Sequence, residues 1–514
     1  MEYTDKRSRT ILLATVFLTG TAVLIFEVGA IRLLAPYYGS SLTVVSSVLS
    51  TILLALSIGY YWGGRLADRY PSPLLLASII GSAGIIMLGL LYLALIILPT
   101  IGPALGLGAG PLIISTLCFF IPACLLGIDS PFVSKLLAQH QDNEGAVVGT
   151  VFFWSTIGSI VGSLISGFYL IPTIGLTATF LTVASVLVGW ACFLFIIFGK
   201  MNHSYRIIAT GFIILTVTFG TLVHSAPLTS RGTLLYAKDG QYSQMLVYEE
   251  FLNGTTYRFL KNDTNFSSAI IPGSYEIAFP YAELATLYDA MVPNAKNYLV
   301  LGGGAFTIPR HVHHHNPDLT IDTVEIEPYL YDIARTYFDL PVHNNLRLHT
   351  MDARVFLQST TTQYDVIFSD VMNSGHFIPE HLVTVEFFES LKDRLAPDGV
   401  AFINYIGSLD TTGVSMTGSI VHTLSQVFPN YQIIPIQSST DRELQNMMLI
   451  VRHDSKPITF GEYNIDNRLY DMSYRIDDKL MRLQPNELAD EIMFTDEHPG
   501  METLLNKQFR LHGS

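Results

Sequence analysis

The sequence predicts a two-part molecule: an all-α, multi-span membrane bundle of about seven helices, then an α/β domain entered through a small β-hairpin region. Three observations predict it. The 514 residues are 49% hydrophobic and only 14% charged, with mean hydropathy +0.39, which is too apolar for an ordinary soluble protein. The apolar residues crowd into long runs before about residue 225. Beyond that point short apolar strands alternate with helical patterns, the rhythm of a mostly parallel sheet.

Runs such as ILLATVFLTGTAVLIFEVGAI (11–31) and PLLLASIIGSAGIIMLGLLYLALIILP (73–99) match or exceed the roughly 20 residues that cross a bilayer. Seven candidates stand at about 10–34, 43–62, 73–98, 109–132, 146–171, 174–198 and 205–224. The first is long, has others after it and lacks a clear cleavage site, so it is not read as a signal peptide. Lys6, Arg7 and Arg9 precede the first span, Arg65 and Arg69 follow the second, Lys135 the fourth, and Lys200 and Arg206 the sixth. The alternate loops near 36–42, 99–108 and 172–173 carry neither Lys nor Arg. By the positive-inside rule the N-terminus is cytoplasmic, in a multi-pass protein of a bacterial inner membrane. Seven crossings then place the chain after 225 outside the cytoplasm, unless one span is incomplete or another crossing lies near 99–112.

Glu27, Arg32 and Asp129 sit within or beside these spans, where ionisable groups are costly. They read either as a polar site between helices or as structural pairs. The small residues of GSIVGSLISG (158–167) suit close helix packing. The formal charge of −14 gives no support to nucleic-acid binding. Cys118, Cys124 and Cys192 all lie in apolar spans, so the second half has neither a disulfide framework nor a CxxC metal motif.

Three segments follow from the texture: 1–227 helical, 228–285 a hairpin and substrate-lid region, 286–514 the nucleoside-binding domain. GQYSQMLVYEEFLNGTTYRFLKND (240–263) alternates apolar and polar residues around Asn253-Gly254, a hairpin signal. YLVLGGG (298–304), TIDTVEIEP (320–328), YDVIFSDV (364–371) and GVAFINYI (399–406) read as strands. On such sheets ligands bind beyond the carboxyl ends of the strands. Three elements fall there in order. Gly302, Gly303 and Gly304 let the backbone approach a ligand. Glu325 ends the next strand, placed to accept from ribose hydroxyls. Asp352, in HTMDARVF (349–356), is placed to accept from an adenine amino group. A dinucleotide dehydrogenase is disfavoured, because the G-x-G-x-x-G spacing is absent and Pro309 interrupts the expected helix start. His311, His313, His314 and His315 are close enough to suggest a metal, but no acid or thiol lies nearby in sequence, so no metal is expected.

The order of these elements resembles the spermidine synthase (polyamine aminopropyltransferase) family, in the layout of its members fused to N-terminal transmembrane helices. YLVLGGGAFTIPR resembles the family's glycine turn, with Arg310 on its arginine. VEIEP resembles the strand end that assigns Glu325 to the ribose, and MDARVFL the stretch that assigns Asp352 and Ala353 to adenine. YDVIFSDVMNS places Asp370 on the family's catalytic aspartate. Gln244 matches a substrate-contacting glutamine, and Tyr281 and Glu283 fit two positions of Y-H-E. The resemblance implies a Rossmann-like, S-adenosylmethionine (AdoMet)-dependent transferase domain with Asp370 and Tyr281 catalytic. It also implies a small-molecule sulfonium nucleoside as the substrate, with no metal or further cofactor.

The departures are informative. The acid after the three glycines is Ala305, the histidine of Y-H-E is Ala282, and the second acid of D-x-x-D-P is Asn373. A diamine pocket needs carboxylates or cation–π faces, and one carboxylate is gone. A fixed acid about 4 Å from the α-carboxylate of whole AdoMet would repel it by roughly 1–4 kcal/mol, and Ala305 removes that penalty. The expectation is therefore an enzyme that cleaves the S–Cγ bond of whole AdoMet and releases 5'-methylthioadenosine. It acts either as an intramolecular lyase giving homoserine lactone or by three-carbon-arm transfer. The alternatives are an aminopropyltransferase making spermidine from putrescine and decarboxylated AdoMet, and a nucleoside-binding transporter or sensor. The acceptor and any homo-oligomer stay open.

Overall fold

A computed structural model describes residues 6–39, 41–102, 105–139, 143–199, 203–224, 232–240, 242–372, 378–409, 414–438, 443–498, 500–501 and 504. The chain forms two compact units, Met1–Leu228 and Thr229–Ser514.

The first unit is helical: α1 (Lys6–Tyr38), α2 (Leu42–Arg69), α3 (Pro73–Ile101), α4 (Gly106–Gly127), α5 (Asp129–Ala138), α6 (Glu144–Ile165), a π turn at Ser166–Leu170, α7 (Ile171–Ile174), α8 (Leu176–Phe198) and α9 (His203–His224). Seven stretches are long and apolar enough to cross a membrane, the fourth joining α4 to α5 and the fifth α6 to α7. Among the described residues, 99–112 holds only the end of α3 and the start of α4, not another span. Ser41 and Ser72 cap α2 and α3, and Pro73 occupies the first position of α3, where its missing N–H costs nothing. The small residues predicted to pack do so: a Cβ on Gly158 would stand 2.1 Å from the Phe17 carbonyl oxygen, and one on Gly162 2.3 Å from that of Thr21. Backbone-to-backbone approach of this kind admits only glycine.

The second unit carries two main sheets. β1 (Thr233–Asp239), β2 (Gln244–Leu252), β3 (Thr255–Asn262) and β4 (Asn265–Ile270) form an antiparallel meander in sequential order. The predicted hairpin is its centre, turning at Asn253 (φ 50°) and Gly254 (φ 81°), the left-handed pair that a two-residue connection demands. The hairpin is thus part of a four-stranded sheet, because β1 and β4 pair on its flanks.

A short helix α10 (Pro280–Glu283) leads to the larger sheet. Its elements are β5 (Asn297–Leu301), α11 (Thr307–His315), β6 (Thr320–Glu325), α12 (Leu330–Tyr337), β7 (Leu346–Thr350), α13 (Ala353–Ser359), β8 (Tyr364–Ser369), α14 (Val385–Arg394), β9 (Leu395–Gly407), α15 (Met416–Val427), β10 (Tyr431–Pro435) and β11 (Gln445–Arg452). The order is β10-β11-β9-β8-β5-β6-β7, parallel from β9 to β7, with β11 and β10 antiparallel. This is the expected Rossmann-like α/β domain. A two-stranded hairpin, β12 (Asn464–Asn467) and β13 (Met472–Arg475), follows. Alternation along β5 sends Tyr298 and Val300 into one apolar layer with Ile321, Val366 and Phe402. Pro309 does not stop α11: it lies in the first turn, where the backbone N–H has no helical partner to lose.

Candidate active site

The strand order reverses at β5, which has β6 on one side and β8 on the other, both parallel. In open α/β sheets such a switch point is where a crevice for ligands forms beyond the strand ends. Gly302 leaves β5 at φ 88°, pressed against β8's exit: a Cβ on it would stand 2.3 Å from the Asp370 carbonyl oxygen. Gly304 turns the chain again at φ 52°, where a Cβ would meet Ser268 Oγ at 2.8 Å. Both positions require glycine.

Glu325 ends β6 and braces this loop. Its Oε2 accepts from the N–H groups of Gly303 and Gly304, each at 2.9 Å, and its Oε1 accepts from Glu327 N–H at 2.9 Å. Burial pushes its pKa up, opposed by the backbone donors. Glu327, itself buried, accepts from Tyr242 N–H at 2.8 Å, so the β1–β2 turn is tied to the strand end. Ala305 lies deeper than expected. It has no exposed surface and packs with Met245, Val247, Leu260 and Phe306, while its N–H donates to Ser268 Oγ at 2.9 Å. The left-handed Phe306 (φ 56°) turns the chain into α11 just after it. The space that the sequence reading left for a carboxylate beside Ala305 is closed here by apolar side chains.

Asp370 follows β8 at the centre of the crevice. Its N–H donates to the Leu301 carbonyl at 2.7 Å. Its Oδ2 accepts from the Tyr281 hydroxyl at 3.0 Å, and its Oδ1 from Asn404 Nδ2 at 2.7 Å. Burial raises its pKa, and those two donors pull it down. Burial and the Asp370 charge hold the Tyr281 hydroxyl well above its ordinary pKa, so it stays a donor. Asn404 Oδ1 and Ser369 Oγ are buried without partners among the described residues. Unpaired buried acceptors beside a carboxylate are what a donor-bearing ligand would satisfy.

The remaining sequence-derived residues are placed as follows. Asp352 caps α13, its Oδ1 accepting from Arg354 and Val355 N–H at 2.9 and 3.1 Å, and its Oδ2 faces His381 Nε2 at 3.0 Å. The His381 hydrogen bond, foremost, holds its pKa below the usual carboxylate range. Asp352 is therefore already engaged, with Ala353 buried behind it. Gln244 opens β2, its Nε2 donating to Asp239 at 2.8 Å. Glu283 Oε1 accepts from Asn467 Nδ2 at 2.7 Å, and burial lifts its pKa to about 6. Asn467 also donates to the Ala278 carbonyl at 3.0 Å, which seats the β12–β13 hairpin on α10. Asn373 lies outside the described residues. Arg310 is buried, donating to the Ser274 carbonyl at 2.5 Å, with its guanidinium 4.4 Å from the Tyr275 ring centre. Three of the four histidines are spent on structure: His311 Nδ1 meets the Tyr275 carbonyl at 2.7 Å, His315 Nε2 meets Asp289 at 2.7 Å, and His314 stacks on Tyr275. The His313 ring centre lies 4.7 Å from that of His343, with its Nδ1 buried and unpartnered among the described residues.

Residues 280–458 match the spermine/spermidine synthase domain. The chain is 24% identical to polyamine aminopropyltransferase 1 of Streptomyces coelicolor over 426 residues, covering 78% of this chain and 77% of that protein. The second unit therefore carries a spermine/spermidine synthase domain. The Streptomyces alignment covers more of the chain than the second unit alone contains, so it reaches into the helical half. The polyamine aminopropyltransferase of Vibrio vulnificus is 29% identical over 183 residues, 34% of this chain and 60% of that protein, so less than two thirds of it is spanned. The crystal structure of a probable spermidine synthase from Corynebacterium glutamicum aligns with TM-score 0.39 and 24% identity, covering 45% of this chain and 84% of that one.

Proposed function

We propose that the second unit transfers the three-carbon arm of a sulfonium nucleoside to an amine, with Asp370 as the base. The single observation that carries this reading is the buried network around Asp370, with Tyr281 and Asn404 donating to its two oxygens. The amine nitrogen attacks Cγ, the S–Cγ bond breaks, and its electron pair passes to sulfur, which leaves as neutral methylthioadenosine. The proton released by the amine goes to the Asp370 carboxylate. Asn404 Oδ1 and Ser369 Oγ, both without partners among the described residues, supply further acceptors for the incoming N–H groups. Glu325, which shapes the glycine loop, carries the ribose, and the nucleoside lies across the crest. The names of the Streptomyces and Vibrio relatives support an amine acceptor. We infer further that the seven apolar helices hold this enzyme in a bacterial inner membrane.

A second reading rests on Ala305. With no carboxylate at that position and the alanine sealed under apolar neighbours, the glycine loop presents no fixed negative charge to whole AdoMet, whose own carboxylate can attack Cγ. The ring closure gives homoserine lactone and the same methylthioadenosine. Intramolecular attack of this kind has effective molarities of roughly 10⁵–10⁸ M when aligned. Purified protein given decarboxylated AdoMet and putrescine, or AdoMet alone, separates the two by mass spectrometry. Spermidine in the first tube supports transfer, lactone in the second supports the lyase, and neither product removes both.

A further inference from the structure

We propose that the helical unit holds one small monovalent cation, a proton or an alkali ion, at Asp129. This goes beyond the catalytic reading and stands on the helical unit alone. Asp129 is the first residue of α5, where the helical run breaks at Ile128, and it is 1% exposed. Its Oδ2 accepts from Thr19 Oγ1 on α1 at 2.5 Å. Among the described residues its Oδ1 is buried with no hydrogen-bond partner, and no basic side chain forms an ion pair with it. A carboxylate in that position is half-satisfied, and buried charges are paired, metal-bound or neutralised. Something must meet the open oxygen.

Thr19 makes the site exchangeable. Its single hydroxyl hydrogen can go to Asp129 or to its own helix, since Thr15 O lies at 3.1 Å and Val16 O at 3.3 Å. With Asp129 ionised, Thr19 donates to it. With Asp129 protonated, the carboxyl donates to Thr19 and the hydroxyl turns back to the helix. Ser130, the next residue, donates to Ser155 Oγ on α6 at 3.4 Å, so α5 is tied to α6 right beside Asp129 in sequence. The neighbouring helices pack closely: a Cβ on Gly63 would stand 2.8 Å from Ile128 Cα, and one on Gly20 2.3 Å from the Ser155 carbonyl oxygen, so the backbones are in contact at both points.

Charged groups on the helices packed around α5 are engaged or remote. Asp68 of α2 pairs with Lys135 of α5 at 2.7 Å, Arg65 lies 3.6 Å from the Tyr61 ring centre, and Arg69 lies against Tyr70. On α1, Glu27 and Arg32 lie eight and thirteen residues past Thr19, about 12 Å or more along the axis, and Lys6, Arg7 and Arg9 lie ten or more before it. Glu144 opens α6, eleven residues before Ser155. α3 and α4 carry no charged residue.

All three tryptophans, Trp62, Trp154 and Trp190, lie in the helical unit, and Trp190 donates to Thr15 Oγ1 at 3.0 Å, one turn from Thr19. Tryptophan fluorescence therefore follows unfolding of this unit in the full chain. The test is unfolding in lipid nanodiscs from acid to alkaline pH, in sodium, potassium or choline chloride, for the natural chain, Asp129→Asn and Thr19→Val. An alkali site predicts that sodium or potassium raises the midpoint over choline at alkaline pH. A proton site predicts that acid raises it in every salt. In either case Asp129→Asn, a neutral isostere of the occupied acid, loses the response and unfolds no earlier than the natural chain at alkaline pH, and Thr19→Val displaces it. A natural chain indifferent to pH and to all three salts, or the full response retained in Asp129→Asn or unmoved in Thr19→Val, would overturn the site.

Discussion

Replacing Tyr281 with Phe exchanges its hydroxyl for hydrogen at the centre of the crevice and leaves the ring, which stacks against Phe279 with centres 6.1 Å apart. The lost bond is the 3.0 Å donation to Asp370 Oδ2. Hydrogen bonds to charged groups contribute about 1.5–3 kcal/mol, and this one favours the ionised form of Asp370 over the protonated form. Without it the carboxyl, already raised by burial, holds its proton to higher pH. A base must be ionised to act. Below the acidic limb of the profile, kcat/KM for methylthioadenosine release falls about 10- to 150-fold, the same free energy expressed as a ratio, and at alkaline pH it returns toward the natural value. The assay is that profile, measured by product release on matched samples. A uniform loss at every pH, with the limb unmoved, would refute the reasoning, because it would mean that Tyr281 orients substrate and does not tune Asp370.

Other consequences are checked as directly. Asn467→Ala cuts both bonds that seat the β12–β13 hairpin on α10, and we expect a stability loss of about 1–3 kcal/mol by urea titration, since Glu283 and the Ala278 carbonyl lose a buried donor. Glu283 binds its proton more tightly folded than unfolded, about 6 against an ordinary 4.5. Its contribution to stability is full below 4.5 and is lost as pH rises through 6, a swing of about 2 kcal/mol that Glu283→Gln removes. A variant whose stability falls as steeply as the natural chain's over that window would contradict the assignment. Gly162→Ala forces α6 off α1, where the Thr21 carbonyl stands 2.3 Å from the new carbon, and costs about 1–3 kcal/mol in detergent-solubilised thermal unfolding.

Much of this was legible because it rests on local patterns. Seven apolar runs of membrane-spanning length are counted without structure, and they recur as seven long apolar helices. The glycine turn, Glu325 and Asp370 sit at strand ends, and strand ends are where a period-two apolar pattern stops. Asn404 could have been found the same way, as the one amide inside the apolar strand GVAFINYI. Asp352 shows what the pattern cannot separate: an acid opening a helix is the ordinary N-cap, and the same letter in the same place suits a ligand. The loop before α11 was misjudged at Ala305, because a sequence shows a missing charge but not that neighbouring Met245 and Leu260 close over it. Asn467 and Glu283 stand 184 residues apart, and no local signal couples them.

The central claim is that this crevice breaks the bond between sulfur and the three-carbon arm. A sulfonium activates three carbons, and the nucleoside fragment left behind records which bond broke. Chromatography of the nucleoside products from AdoMet and from its decarboxylated form, each with and without diamine, reads that fragment. The account predicts methylthioadenosine, lost in Asp370→Asn. S-adenosylhomocysteine in its place would mean methyl transfer and would contradict the account.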